Sequence, residues 1–308
     1  MHIHLAPMEG ITGYVYRRAH ARYFGPVDKY ITPFLSPTQE KRMTHRELQE
    51  VLPEHNQGLP VVPQILTNRP ELFLWAAGEL AAMGYREVNL NLGCPSGTVT
   101  AKGKGAGFLA RREELERFLD EIFARCPTAI SVKTRVGKES VDEWEGLVGL
   151  FRRYPMAELT IHPRLQRQLY GGSPHWELLD GLEDSPWPVC CNGDVNSPAD
   201  CEAVVRRFPW AAAVMVGRGA IADPSLPRQL KGGAPATRGE LRAFHDSLFE
   251  DYMAVLPGPV AVLHKMKELW AHLGRQFPGG ERLLKGLRKA RTTGDYLAAA
   301  DALFRLER

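Results

Sequence analysis

A chain of 308 residues with 44% hydrophobic and 24% charged residues has the composition of an ordinary globular protein, which excludes collagen-like and disordered classes. Its five cysteines, at positions 94, 126, 190, 191 and 201, form no C-x-x-C pair, which excludes a zinc ribbon and a dithiol redox motif and fits a reducing compartment. The net charge of +3 decides nothing by itself, so its distribution must be read.

Short apolar runs at residues 2–6, 27–32, 61–66, 87–92, 129–134, 158–162, 188–192 and 212–216 predict eight strands. Helical spacing lies between most of them, as in Leu72, Ala76, Leu80 and Met83, and in Leu115, Phe118, Leu119 and Ile122. Eight strands alternating with helices over about 230 residues predict an α/β fold of the (β/α)₈ TIM-barrel type. A doubly wound open sheet is the rival, but its Gly-rich first turn is replaced here by A-P-M-E-G. The segment 231–239, K-G-G-A-P-A-T-R-G, reads as a linker. Only helical patterns follow it, so a barrel domain over 1–230 and a helical bundle over 240–308 are expected. Between residues 260 and 292 eight cations stand against two acids, either a phosphate-backbone footprint or a solvated helix face. No apolar run approaches the ~20 residues of a membrane span, and M-H-I-H-L-A-P-M lacks a signal peptide's cationic start. A cytoplasmic protein is expected.

Barrel chemistry sits at the carboxyl ends of the strands. In chain order these ends carry Pro7 and Met8, which can lie against a flat ring, then Gln64, then Asn89 and Asn91 on one face of their strand. Cys94 follows in N-L-G-C-P-S, on a turn that leaves a thiol exposed and positionable, and a basic, mobile stretch K-G-K-G-A-G-F with Lys102 and Lys104 comes next. The fifth end carries Lys133 and Arg135. A lysine inside a barrel needs a negative partner or a lowered pKa, as a cation facing an electron-rich cofactor or as a Schiff base. The sixth carries His162 and Arg164, a pair suited to an anion or a polarised carbonyl. Asn192, Gly193 and Asp194 at the seventh and Gly217 and Arg218 at the eighth have the small residues a barrel phosphate site requires. His2 and His4 lie at the wrong end of their strand for a catalytic metal, so no metal is expected. A phosphate-bearing organic cofactor fits instead, with flavin mononucleotide (FMN) the commonest.

The ordered set A-P-M-E-G, Q-I-L, N-L-G-C-P-S, V-K-T-R-V-G, I-H-P-R, C-N-G-D and V-G-R-G-A resembles the tRNA-dihydrouridine synthases over about residues 1–225. The resemblance implies that Pro7 and Met8 pack on FMN, that Gln64 and Lys133 contact its isoalloxazine, and that His162 sits near the ring or phosphate. It implies that Asn192, Gly193, Asp194, Gly217 and Arg218 hold the ribityl-phosphate, that Asn91 lines the substrate pocket, and that Cys94 is the general acid. The implied reaction adds hydride from reduced FMN to C6 of a tRNA uridine and a proton from Cys94 to C5, with NADPH reloading the flavin. Substrate contacts are expected from Lys102, Lys104, Arg135 and Arg164 at the barrel rim and from Lys265, Lys267, Lys285, Arg288 and Lys289 in the tail. No protein partner is implied. Pro163 departs from the glycine usual at that place, removing a backbone donor. The alternatives are an FMN barrel acting on a small enone or pyrimidine, an aldolase using Lys133, and a non-catalytic RNA-binding barrel.

Overall fold

The computed structural model describes residues 1–25 and 27–306. Eight parallel strands close into a barrel in sequence order: β1 His2–Leu5, β2 Lys29–Leu35, β3 Val61–Ile65, β4 Glu87–Leu92, β5 Ala129–Gly137, β6 Leu159–Leu165, β7 Val189–Asn192 and β8 Ala213–Val216. Each expected strand is present within a few residues. The ring is closed by β1 on β8, Leu5 opposite Val216. Helices cover the outside: α1 Tyr14–Phe24, α2 His45–Val51, α3 Pro70–Ala82, α4 Gly97–Thr100, α5 Arg112–Arg125, α6 Glu143–Phe151, α7 Pro198–Arg207, α8 Arg218–Ala222 and α9 Leu226–Leu230. After β6 the described chain forms two short 3₁₀ turns, Gln166–Gln168 and Trp176–Leu179, instead of an α-helix.

Alternation along the strands separates two environments. Ile3, Leu5, Val88, Leu90, Val214 and Val216 join the large apolar layer between strands and helices. The residues between them face the interior, and many are polar. Gln64 Nε2 donates to Asn89 Oδ1 at 2.8 Å, Asn89 Nδ2 to Ser131 Oγ at 2.9 Å, and Asn91 Nδ2 to Gln64 Oε1 at 2.7 Å. Buried amides are stable only when paired, and this chain of bonds pairs them across β3, β4 and β5.

The tail forms α10 Arg238–Val255, α11 Pro259–Leu273, α12 Glu281–Lys289 and α13 Thr293–Phe304. The linker ends earlier than its composition suggests. Thr237 caps α10 and forms a reciprocal capping box with Glu240, so the helix starts at Arg238. Residues 307–308 of the expected bundle lie outside the described residues. Phe244 of α10 packs on Phe24 and Tyr16 of α1, at 5.1 and 5.7 Å between ring centroids, which seats the tail on the barrel. In the bundle core, His245 Nδ1 faces Asp246 Oδ1 at 2.8 Å, so its Nε2 accepts from the Tyr296 hydroxyl at 2.6 Å; that hydroxyl accepts in turn from Trp270 Nε1 at 2.8 Å. Tyr296→Phe strands both buried partners. It is expected to destabilise the chain by about 1–3 kcal/mol, read as a lower urea midpoint at unchanged m.

Candidate functional site

The polar interior opens at the carboxyl ends of the strands into a cleft lined by Pro7, Met8, Gln64, Asn91, Cys94, Lys133, Arg135, His162, Asn192, Gly193, Asp194, Gly217 and Arg218, among others. The structure thus brings together every residue expected at a cofactor, together with the thiol.

Asn91 shapes the cysteine turn. Its Oδ1 accepts the backbone N–H groups of Gly93 at 3.0 Å and Cys94 at 2.9 Å. Arg135 Nε binds the Gly93 carbonyl from the other side at 3.0 Å. Cys94 is half-buried rather than exposed. Burial pushes its thiol pKa up, against the opposing pull of a Ser96 backbone contact and of Arg135. The stretch 102–108, expected to be basic and mobile, is packed. Residues 105–109 are buried, and Ala106 N–H donates to the Cys94 carbonyl at 3.0 Å. Gly105 is required there, because its φ is +56° and a Cβ would lie 2.8 Å from the Cys94 oxygen. Lys102 is exposed, while Lys104 is half-buried with its Nζ 3.4 Å from Ser36 Oγ.

Lys133 Nζ donates to Asn192 Oδ1 at 2.9 Å, and among the described residues no carboxylate pairs with it. Burial, reinforced by Arg135, lowers its pKa to about 8. Burial, with Lys133, Arg135 and other cations beside it, also holds His162 well below its usual value, so the imidazole is neutral. Arg164 Nη1 can only donate, so His162 Nε2 accepts from it at 3.2 Å and the ring proton is assigned to Nδ1.

Arg164 points no free donor at the cleft. Arg164 is 1% exposed; it binds both carboxylate oxygens of Asp194 and the carbonyls of Gly171 and Gly172. Arg135, equally buried, is bonded to the carbonyls of Gly93, Leu165 and Leu169. Asp194 also takes Arg218 Nη2 at 2.7 Å. Burial would raise the Asp194 pKa, but the two arginines outweigh it and hold the carboxyl below its usual range. At the β7 and β8 ends, Gly193 has φ +151°, and a Cβ on Gly219 would sit 2.3 Å from the Val195 carbonyl oxygen. Pro163 is tolerated because the β5–β6 register shifts between Arg135 and Gly137, beside the proline's place on β6.

Tyr170 was not anticipated from the sequence. It lies in an irregular turn after β6, next to Leu169 at φ +51°, and strand-end reading does not reach it. It is half-exposed on the cleft wall, with the Arg135 and Arg218 guanidiniums 5.6 and 4.9 Å from its ring centroid.

The expected tail cations divide. Lys265 Nζ is bonded to the Gly10 carbonyl and Lys267 Nζ to the Ala290 carbonyl, both at 2.5 Å, so each ties the tail to itself or to the barrel. Lys285, Arg288 and Lys289 are exposed on α12. Among the described residues, one group of three possible metal donors occurs, His4, Glu158 and Cys190, buried together inside the barrel. His4 Nδ1 lies 3.4 Å from Glu158 and 3.6 Å from Cys190 Sγ. Thr160 and Lys29 also contact Glu158, so the group is already hydrogen-bonded and ion-paired.

The family model described as dihydrouridine synthase matches residues 4–292. A tRNA-dihydrouridine(16) synthase of Cupriavidus necator is 30% identical over 301 residues, covering 92% of both chains. A probable tRNA-dihydrouridine synthase of Staphylococcus aureus is 29% identical over 80% of this chain and 77% of its own. Among solved structures, morphinone reductase (13% identity, TM-score 0.53, 77% of this chain and 87% of that one) and an old yellow enzyme homologue from Zymomonas mobilis (13%, 0.52, 76% and 89%) share the barrel fold.

The raised pKa of Cys94 is open to direct measurement. Thiolate is the form that alkylates, so the rate at Cys94 should reach half its maximum only above the ordinary thiol value of about 8.5. Iodoacetamide labelling, followed by mass spectrometry of the Cys94 peptide across pH, checks this.

Proposed function

The chain belongs to the dihydrouridine synthase family, and on that premise we propose that it reduces a uridine of transfer RNA to 5,6-dihydrouridine, with FMN as resident cofactor and NADPH as electron source. The observation that carries the reading is one cleft holding a protonated thiol, a lysine without a carboxylate, and a glycine-bearing β7–β8 end. The residues fit FMN. Gly193, Gly217 and Gly219 let the β7 and β8 ends pack closely at the cleft wall, where backbone N–H groups and Arg218 are the donors that would meet a phosphate. Lys133 presents positive charge to an electron-rich ring edge, Gln64 offers a carboxamide, and Pro7 and Met8 give an apolar wall. Bound and reduced, FMN supplies the hydride for C6 of the uracil.

The chain's own residues do the rest. Hydride addition leaves an enolate whose C5 needs a proton, and the Cys94 Sγ–H donates it. The raised pKa keeps the proton on sulfur at neutral pH, and the half-exposed position lets solvent return it. Asn91 holds the turn that aims the thiol. Arg135 and Arg164 are positioning residues: the first fixes the cysteine turn, the second fixes Asp194 and the neutral His162. Lys102, Lys104, Lys285, Arg288 and Lys289 meet RNA phosphates and steer the substrate in. In this reading residues 1–230 form the catalytic part and 240–308 the tRNA-binding part of a cytoplasmic enzyme.

Cys94→Ala should purify yellow, with FMN bands equal to wild type, and bind tRNA, but turn over roughly 10²–10⁴-fold more slowly. A colourless wild-type protein, or full turnover on a free enone or on uracil without RNA, would replace the proposal. Changing Lys285, Arg288 and Lys289 together to Gln should weaken tRNA binding and flatten the slope of log affinity against log salt by roughly one for each phosphate no longer neutralised, with flavin content unchanged.

A further inference from the structure

A second cavity, of about 460 Å³, opens beside the reaction cleft and shares Pro33 with it. Its walls come from the β1–α1 loop and the start of α1, from α2, and from the α10–α11 turn. On one wall Tyr14 and His55 stack face to face, centroids 4.2 Å apart and planes 10° from parallel. Arg46 lies on this cavity and Glu9 on the reaction cleft, and their ion pair at 3.2 Å forms the ridge between the two. Lys265 closes another side, held against the Gly10 carbonyl. Glu50 also lines the cavity, but its carboxylate is already neutralised by Arg17 at 3.0 Å and by the Tyr14 N–H at 2.7 Å. What faces outward is an aromatic wall with a rim of ion-paired groups, Arg46 with Glu9 and Lys265 with Glu268. An exposed aromatic wall is the chemistry of a single-stranded nucleic-acid site, where ring faces stack on bases.

Resting on the reading of the chain as a tRNA-uridine reductase, we propose that this cavity receives a nucleobase neighbouring the reacting uridine, stacked against the Tyr14–His55 pair. The physical reason lies in the extrusion step. A uridine swung out of its stack leaves its neighbour with an exposed face, and the unstacking costs free energy. An aromatic platform one ridge away from the reaction cleft recovers that stacking on protein. The cavity then acts before the chemistry, favouring the opened strand over the closed one.

The test uses the flavin-loaded, full-length enzyme and tRNA made abasic at either nucleotide flanking the reduced uridine. Wild type should bind one of the two abasic tRNAs roughly 5- to 150-fold more weakly than intact tRNA. Tyr14→Leu should lose a similar factor on intact tRNA and nothing more on that abasic one, a coupling that a loss of structural support does not produce. A 2-aminopurine placed at that position should be quenched by wild type and not by Tyr14→Leu, with His55→Leu repeating the test from the second ring. Losses that simply multiply, or equal quenching by all three proteins, would overturn the proposal and leave Tyr14 as a support for α2. Failure of the parent reading shows separately, as no uridine reduced by flavin-loaded wild type.

Discussion

The site depends on the ion pair of one buried arginine. Arg164 is sequestered at the end of β6 and grips Asp194 at the end of β7 with both arms of its guanidinium. A buried arginine is tolerable only when its donors are filled, and the carboxylate, the Gly171 and Gly172 carbonyls and His162 fill them. From this clamp the neighbouring geometry follows. Asp194 is held in a left-handed conformation at φ +46° and in turn fixes Arg218. The turn after β6, including Tyr170, is pinned through its backbone carbonyls. His162 is forced into one tautomer. Removing Asp194 would leave the buried Arg164 without its carboxylate, which costs about 3–5 kcal/mol.

The barrel interior is the second constraint. Where many such barrels fill their centre with branched aliphatic side chains, this one uses Gln64, Asn89, Asn91 and Ser131 bonded in sequence. A methyl group cannot set the direction of its neighbour, but an amide with one donor side and one acceptor side can. The order runs outward to Asn91, whose remaining oxygen binds the Cys94 turn. The Cys94 sulfur is therefore positioned by the core, not by the loop that carries it.

Much of this was legible in the sequence, for identifiable reasons. The strands stood out because their apolar runs are short, bounded and evenly spaced. The polar residues at their ends stood out because a barrel points them to one face. The sequence did not reveal which cations were free. Arg164, Lys265 and Lys267 look like Lys285 in a sequence, but the first three are bonded to carboxylates or backbone carbonyls, and only packing decides that. Nor did it reveal Tyr170, whose place is set by a turn with no periodicity. Glycine and lysine content suggests a mobile stretch at 102–108, whereas Gly105 lets the backbone pack closely on the cysteine turn. The start of α10 is legible in the capping-box spacing of Thr237 and Glu240.

The amide of Asn192 opposite Lys133 has a thermodynamic consequence. A carboxylate there would neutralise the ammonium; the amide accepts one hydrogen bond and leaves the charge in place. The lysine's pKa then falls to about 8 from an ordinary value near 10.4. Between those two values the unfolded chain binds more protons than the folded one, so this residue's opposition to folding is complete at neutral pH and fades only as the solution becomes alkaline. The fold is thus at odds with its own cleft under working conditions. Any anion that settles beside Lys133 relieves that tension, and stability rises with the logarithm of anion concentration. The folded state and the loaded site are therefore linked equilibria, joined through a single ammonium group.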